Sequence, residues 1–378
     1  MKRSLVVFLA TALAAFSLLA IPSRPASACT GIVLTAEDGS PVYARTMEFG
    51  RDVVTYSLLT VPRGYSYAGH LPGGKPGMAW KVKYGHVGFN PEGLPAVTEG
   101  LNEKGLSVGS FYLPGFAEYQ PFDPARAKKT ISNLDVVPWL LGSFATTAEI
   151  REALPKVAVV GLPVPQMGGA PPLHYIATDP SGQSVVIQYV AGKLTIYDNK
   201  VGVITNSPEY PWHLTNLRNY IGISPLNLPS VQYGGENFSG LSQGTGMLGL
   251  PGDFTSPSRF VRANYFAHTA LPGKDGFETI EVAFRILNQF DIPRGSLRNP
   301  EGGKTIYDVA QWTVAYDLRN WKMYFHTFES RRVRVVDLGK LDFSGGQILT
   351  QEITGPEQVE DVSGAFQPYK APVAESGR

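Results

Sequence analysis

A single cysteine, Cys29, sets two limits on this chain. No internal disulfide can form, so any fold must be held by packing of an apolar core. The second limit comes from position. Lys2 and Arg3 form a basic start, an apolar run follows from Leu5 to Ile21, and Ala26-Ser27-Ala28 supplies the small residues a signal peptidase accepts. Residues 1–28 therefore read as a secretory signal peptide, and cleavage after Ala28 makes Cys29 the first residue of the mature chain. A thiol and a free α-amine then share one residue. The α-amine has an ordinary pKa near ~8, so it can serve as a base close to neutral pH. Such a terminus is a nucleophile with its own base.

Two plainer readings compete. Lone cysteines are commonly small buried hydrophobes, but a residue directly behind a cleavage site is seldom chosen for packing. A lipoprotein signal also places a cysteine after the cut, and would make the protein a lipid-anchored surface protein. That pattern favours leucine three residues earlier, directly after the apolar run. Here Ala26 holds the position, behind the proline-bearing stretch Pro22 to Pro25. The lipid-capped and nucleophilic readings exclude each other.

The chain after residue 28 is long enough for one large domain, with 43% hydrophobic and 11% aromatic residues overall. A net charge of +1 with both signs scattered predicts neither a nucleic-acid footprint nor a membrane-surface patch. No apolar stretch after the signal approaches the ~20 residues of a spanning helix. The expected compartment is the periplasm or the exterior.

The mature start reads as a hairpin, Thr30–Ala36 and Val42–Met47 around an Asp38-Gly39 turn. A third strand is expected over Val53–Val61, mostly loop over Gly64–Pro95, and a strand ending near Phe111. Two helices follow, the second capped by Thr146 with Glu149. Strands are predicted over Tyr175–Thr178, Ser184–Val190, Leu194–Tyr197 and Val201–Thr205. Helices come next over Trp212–Ile221, Pro257–Ala270 with Ser256 as its N-cap, and Phe277–Phe290. The last strands fall at Thr313–Tyr316, Lys322–Thr327 and Val333–Leu338. One domain over residues 29–355 and a polar tail over 356–378 are expected. This order of strands and helices implies two packed sheets with helical layers outside.

Gly244-Thr245-Gly246-Met247-Leu248-Gly249 matches a dinucleotide fingerprint in letters only. No strand leads in and no helix follows, so it reads as a flexible loop. The histidines lack metal spacing, and His213 reads as structural. Arg45 and Glu48, on the second arm of the hairpin, would by themselves be an edge-strand ion pair. Asn206, in Thr205-Asn206-Ser207-Pro208, would be a turn former. Arg259 lies in a helix's first turn, the less favoured end for a cation, which points to another partner.

These segments together resemble the choloylglycine hydrolase and penicillin V acylase family of N-terminal-nucleophile hydrolases. The likeness is carried by Cys29-Thr30-Gly31, Ala44 through Phe49, Gly100 through Leu106, Thr205 through Pro208 and Gly244 through Arg259, in the family's order along nearly the whole mature chain. The resemblance implies an α+β fold, a four-layer αββα sandwich of two antiparallel sheets, and hydrolysis of a linear amide without cofactor or metal. Residue by residue, it implies Cys29 as nucleophile and base, Arg45 beside the thiol, Asn206 and the Tyr112 backbone N–H as oxyanion donors, and Arg259 as a second active-site arginine. Glu48 stands where most members have an aspartate that holds the terminal amine. It keeps the charge and changes the reach. Tyr112 stands where bile-salt-cleaving members commonly have asparagine and penicillin V acylases more often an aromatic residue.

The expectation is an exported amidase acting on a small molecule with an apolar acyl group, of penicillin V acylase or acyl-homoserine lactone acylase type. A conjugated bile salt hydrolase or a catalytically inactive binding protein of the same fold are the alternatives. Specificity is expected from Met47–Arg51, Gly64–Trp80 and the stretch around Tyr112. The segment Ile221–Gly240, with exposed-looking Tyr, Leu and Pro, implies a homotetramer by the same resemblance.

Overall fold

The computed structural model describes residues 28–50, 56–91, 97–301 and 303–369. The expected signal peptide, apart from Ala28, lies outside the described residues. The opening hairpin forms as its sequence dictates: β1 (Cys29–Thr35) pairs with β2 (Pro41–Gly50), Cys29 opposite Met47 and Thr35 opposite Pro41. The turn between them uses Gly39 at φ 80°, a conformation glycine adopts without penalty.

The chain continues through β3 (Tyr56–Val61), β4 (His86–Pro91), β5 (Glu99–Asn102), β6 (Ser107–Tyr112), β7 (Leu173–Thr178), β8 (Ser184–Val190) and β9 (Lys193–Asp198). It then forms β10 (Val203–Ile204), β11 (Arg298–Glu301), β12 (Lys304–Asp317), β13 (Lys322–Thr327), β14 (Arg334–Asp337) and β15 (Leu349–Glu352). One antiparallel sheet runs β10-β1-β2-β12-β13-β14, with β11 also on β12; the facing sheet is β9-β8-β7-β6-β5-β4-β3-β15. Among the described residues the α-helices are α1 (Val136–Ser143), α2 (Thr147–Ala153), α3 (Tyr210–Asn216), α4 (Ser256–Thr269) and α5 (Gly276–Leu287). Helices α4 and α5 cover the first sheet and α1 covers the second. The result is the four-layer αββα sandwich that the resemblance implied.

Two apolar clusters hold the layers. One joins α4 and α5 to the first sheet, with Ile32 on that face, and fills the space between sheets with Tyr43, Phe89, Phe111 and Trp312; the other lies between the second sheet and α1, around Val108, Leu140 and Tyr175. A fully buried side chain of this size contributes roughly 1.5–3 kcal/mol. A disulfide contributes about 2–4 kcal/mol, so a few such residues replace one. Gly31 makes the close approach of the sheets possible. A Cβ there would lie 2.8 Å from Ile204 and 2.9 Å from Phe111.

The expected loop over Gly64–Pro95 instead contains β4 and a hairpin of Ser66–His70 with Pro76–Lys81. Gly77, Gly85 and Gly88 mark close approach rather than irregularity: a Cβ at Gly77 would lie 2.6 Å from the Thr130 carbonyl oxygen. Tyr67 stacks on Trp80 at 5.0 Å and both are buried. Thr255 holds the N-cap position of α4 without a side-chain capping bond, and Ser256 is the first residue of the helix, not the cap. The glycine-rich stretch 244–249 is a closed turn in which Ser224 N–H donates to Gly246 O at 2.9 Å. No described helix is long and apolar enough to cross a membrane.

Candidate active site

Strand β2 lies inside its sheet, between β1 and β12, so Arg45 and Glu48 are not an edge-strand ion pair. Strand alternation sends them to opposite faces. Arg45 faces the second sheet, its guanidinium 4.1 Å over the Phe111 ring, with Nη1 donating to Ser110 O at 2.7 Å. Its ionic partner is Glu99 on β5, Nε to Oε1 3.6 Å, both side chains wholly buried. Glu99 in turn accepts from Trp312 Nε1–H and Tyr316 O–H. Burial alone would lower the Arg45 pKa, but Glu99 and the thiol side of Cys29 outweigh it, so Arg45 stays charged.

Glu48 faces the helix layer, where Thr46 Oγ–H donates to it at 2.6 Å and Arg259 Nη1 lies 3.9 Å away. Burial raises its carboxyl to about 7, against the pull of Arg259 and Thr46. Arg259, in the first turn of α4, has the partners its unfavourable helix position implied. It donates to the Cys29 carbonyl, to Thr30 Oγ1 at 2.8 Å, to Asn206 Oδ1 at 2.6 Å and to Phe254 O at 2.9 Å.

Asn206 follows β10, beside the start of β1. Its Oδ1 accepts the Cys29 N–H at 2.7 Å and its Nδ2 donates to Tyr112 O at 2.8 Å. Arg259 and the Cys29 N–H can only donate and the Tyr112 carbonyl can only accept, which fixes the orientation of the amide. The second hydrogen of Nδ2 has no hydrogen-bond partner among the described residues. Leu113 N–H donates to Pro172 O, which makes Tyr112 and Leu173 a non-hydrogen-bonded pair of β6 and β7. The Tyr112 N–H therefore points away from β7, to the side where its own carbonyl meets Asn206.

The peptide carrying Asn206 is fixed from three elements. His174 Nε2, on β7, donates to Thr205 O at 3.0 Å, and His213 Nε2, on α3, donates to Asn206 O at 3.0 Å. Ser256, on α4, accepts the Asn206 N–H at 2.9 Å. Burial lowers His174 to about 3 and His213 to about 4, so both are neutral donors near pH 7.

The Cys29 thiol donates to Met47 Sδ at 3.6 Å, and Arg45 Nη2 reaches the same sulfur at 3.2 Å. Burial pushes the thiol up; Arg45 and Arg259 pull it down. Beyond Met47 and Tyr112 opens an apolar cleft, walled by Phe49, Tyr56, Leu134, Val137, Met167 and Trp312 among others. Gly64–Trp80 does not line it, contrary to expectation, because that hairpin packs on α1 and the outer core.

The structure thus gathers Cys29, Arg45, Glu48, Tyr112, Asn206 and Arg259 around one thiol. It adds Glu99 and His174, which sequence reading did not select, and His213 and Ser256, which it read as structural and as a helix cap; Met47 opens the segment expected to set specificity. The set has a nucleophile, a cation flanking it on each side and two convergent N–H donors, the parts acyl transfer requires.

Residues 29–353 match the family of linear amide C–N hydrolases, the choloylglycine hydrolase family. The bile salt hydrolase/transferase of Clostridium perfringens is 31% identical over 85% of this chain and 96% of its own length. The penicillin V acylase of Pectobacterium atrosepticum is 28% identical over 92% of this chain and 90% of its own. A crystal structure of mutant conjugated bile acid hydrolase from Clostridium perfringens superposes with a TM-score of 0.77 at 29% identity, covering 89% of this chain and all of that one.

Proposed function

The chain belongs to the choloylglycine hydrolase family of linear amide C–N hydrolases, and from that premise we propose an exported amidase activated by exposure of Cys29. Cleavage after Ala28 frees the α-amine. That amine takes the thiol proton, and the thiolate attacks the amide carbonyl. The oxyanion rests on the Tyr112 N–H and Asn206 Nδ2, and Arg45 and Arg259 offset the thiolate charge. The C–N bond then breaks as the α-ammonium returns its proton to the leaving amine. Water, deprotonated by the same amine, attacks the thioester and releases the acid. The observation that carries this reading is Asn206, whose one amide holds the Cys29 nitrogen and faces the Tyr112 edge. Burial of Cys29 beneath Met47 and Arg45 favours a working thiol over a lipid attachment point.

The acyl half lies in the apolar cleft. Its walls of Tyr112, Phe49, Tyr56 and Trp312 suit a flat phenoxyacetyl group or a narrow fatty chain better than a wide steroid. Penicillin V or a long-chain acyl-homoserine lactone is the proposed substrate type, ahead of conjugated bile salts. A panel of penicillin V, a long-chain acyl-homoserine lactone and glycocholate tests it. A kcat/KM for glycocholate above both others overturns the acyl assignment. Full activity in a chain shown by mass spectrometry to retain a residue before Cys29 overturns the terminal-amine mechanism.

A homotetramer is the proposed assembly. Segment 221–250 carries Ile221, Leu226, Tyr233, Phe238 and Leu241 exposed, an apolar surface a lone subunit would leave in water. A monomeric mass by light scattering at micromolar concentration refutes it.

A further inference from the structure

Two clefts approach Cys29, one lined by Met47, which touches its thiol, and one by Ala28, the residue before it, and the acyl half uses the first. The other opens where Ala28 precedes the nucleophile. Asn206, Ser207 and Arg259 line its near end; Leu297, Asn299 and Asp308 line its far end. We propose that this second cleft takes the amine half of the substrate, and that Asp308 selects amine halves bearing a hydrogen-bond donor, an ammonium or a hydroxyl, over those bearing an anion.

The inference rests on the amidase reading, and its first step is geometric. A carbonyl attacked by Cys29, with its oxygen at Asn206 and Tyr112 and its acyl substituent past Met47, leaves one direction for the nitrogen. That direction is the cleft beside Ala28 and Asn206. The second step concerns what is unspent there. Asp308 sits on β12 opposite Gly50, two residues from Ala310, the partner of Glu48. It is 2% exposed. Its Oδ2 accepts from Asn299 Nδ2 at 2.8 Å, whereas its Oδ1 is buried with no hydrogen-bond partner among the described residues. A carboxylate has about four acceptor sites, and leaving a buried one unfilled is costly.

The cations of the cleft offer an anion less. Arg259 spends its donors on Phe254, Cys29, Thr30 and Asn206. Arg298 is exposed and tied back through Nε to Gly295 O at 2.7 Å. Asp253, the other acid lining the cleft, is already engaged by Thr255 and Ser258. Burial lifts the Asp308 carboxyl to about 6, which leaves it largely ionised at neutral and mildly alkaline pH. The unmet polar group at the far end is therefore an anionic acceptor.

Four amides sharing one phenoxyacetyl group test this, with amine halves ethylenediamine, ethanolamine, n-propylamine and glycine, on the processed enzyme and Asp308→Asn. The ammonium and hydroxyl compounds are expected to exceed the propyl compound in kcat/KM by about tenfold or more, the gain typical of a buried hydrogen bond to a charge, with glycine last. Asp308→Asn should bring the ammonium-to-propyl ratio close to one. A flat wild-type ranking, or glycine first, overturns the inference without any variant, as does an unchanged ratio in Asp308→Asn. Calorimetric binding of the ethylenediamine and glycine amides to a chain beginning at position 29 with Cys29→Ala needs no turnover. Preferential binding of the ammonium compound with no hydrolysis of any amide sinks the amidase reading and keeps the cleft. Equal hydrolysis of all four does the reverse.

Discussion

Asn206 Oδ1 accepts the backbone N–H of Cys29 at 2.7 Å, across 177 residues of sequence. The nitrogen that the proposed cleavage would expose as the α-amine is thus already held in the uncleaved chain. The same side chain turns its Nδ2 to the edge where the Tyr112 N–H points, so base and oxyanion site share one anchor. Whatever fixes Asn206 fixes both.

Asn206→Ala should lower kcat by roughly 10²–10³, the loss typical of an oxyanion-hole donor. It also frees the Cys29 nitrogen and one donor of Arg259. A turn-forming role would show as a lower Tm with kcat intact, so both are measured on one variant.

The two neutral histidines supply a second test. His213→Leu leaves the buried Asn206 carbonyl without its donor, a cost of about 1–3 kcal/mol. The Asn206 backbone then loosens, and kcat should fall with little change in KM. His213→Gln, whose amide can donate to the same oxygen, should recover part of kcat. Equal kcat in both variants, with only Tm lowered in Leu, would make His213 a packing residue stacked on Phe260.

Arg45 and Glu99 can be separated by charge. Arg45→Met removes the cation beside the thiol, so the thiol pKa rises and the acid limb of kcat/KM moves to higher pH, by about one unit or more. It also strands a buried carboxylate, at a cost of about 3–5 kcal/mol. Adding Glu99→Gln should restore much of the stability and leave the acid limb displaced. A double variant that recovers the wild-type pH profile would show that Arg45 acts on structure alone.

Glu48 links the site to stability in the chain that retains Ala28. Burial raises its pKa to about 7 from an ordinary 4.5. Between those values the folded state holds more protons than the unfolded one, so this contribution is full below the lower pH and lost as pH rises to the upper. The span corresponds to about 3 kcal/mol. The buried histidines slope the opposite way but equally in wild type and Glu48→Gln. The difference between the two unfolding free energies, followed from acid to neutral pH, isolates Glu48. A flat difference curve would mean that Glu48 titrates normally.

What could be read in advance followed local chemistry. The Asp38-Gly39 turn and the alternation around it gave the hairpin, and the order of the family-like segments led to the residues gathered around Cys29. Strand β4 and the hairpin before it were hidden because Gly69 and Gly77 are there for contact with a neighbouring backbone, which no local pattern reports. Glu99 stands next to a segment that carried the family likeness, yet its burial against Arg45 depends on how two sheets meet. His174, His213 and Asp308 are the same case. Ser256 reads as a cap from sequence, but helix α4 starts one residue earlier and gives that hydroxyl to Asn206.

Tyr112 offers the sharpest test of the acyl assignment, because its backbone and ring do different work. The N–H and carbonyl face Asn206, while the ring lies 5.9 Å from Phe49 and the hydroxyl meets Met167 Sδ at 3.2 Å on the cleft wall. Tyr112→Asn keeps the backbone donor and removes the ring. The cleft widens where a steroid would need room, and a flat phenoxyacetyl group loses an aromatic wall. The kcat/KM ratio of glycocholate to penicillin V should therefore rise by about tenfold or more, in the range that pocket contacts command. Melting temperature and turnover of a short aliphatic amide, measured alongside, distinguish this from a shift of the β6 backbone, which would depress all substrates together. An unchanged ratio would reduce the Tyr112 ring to packing and leave only its N–H in the site.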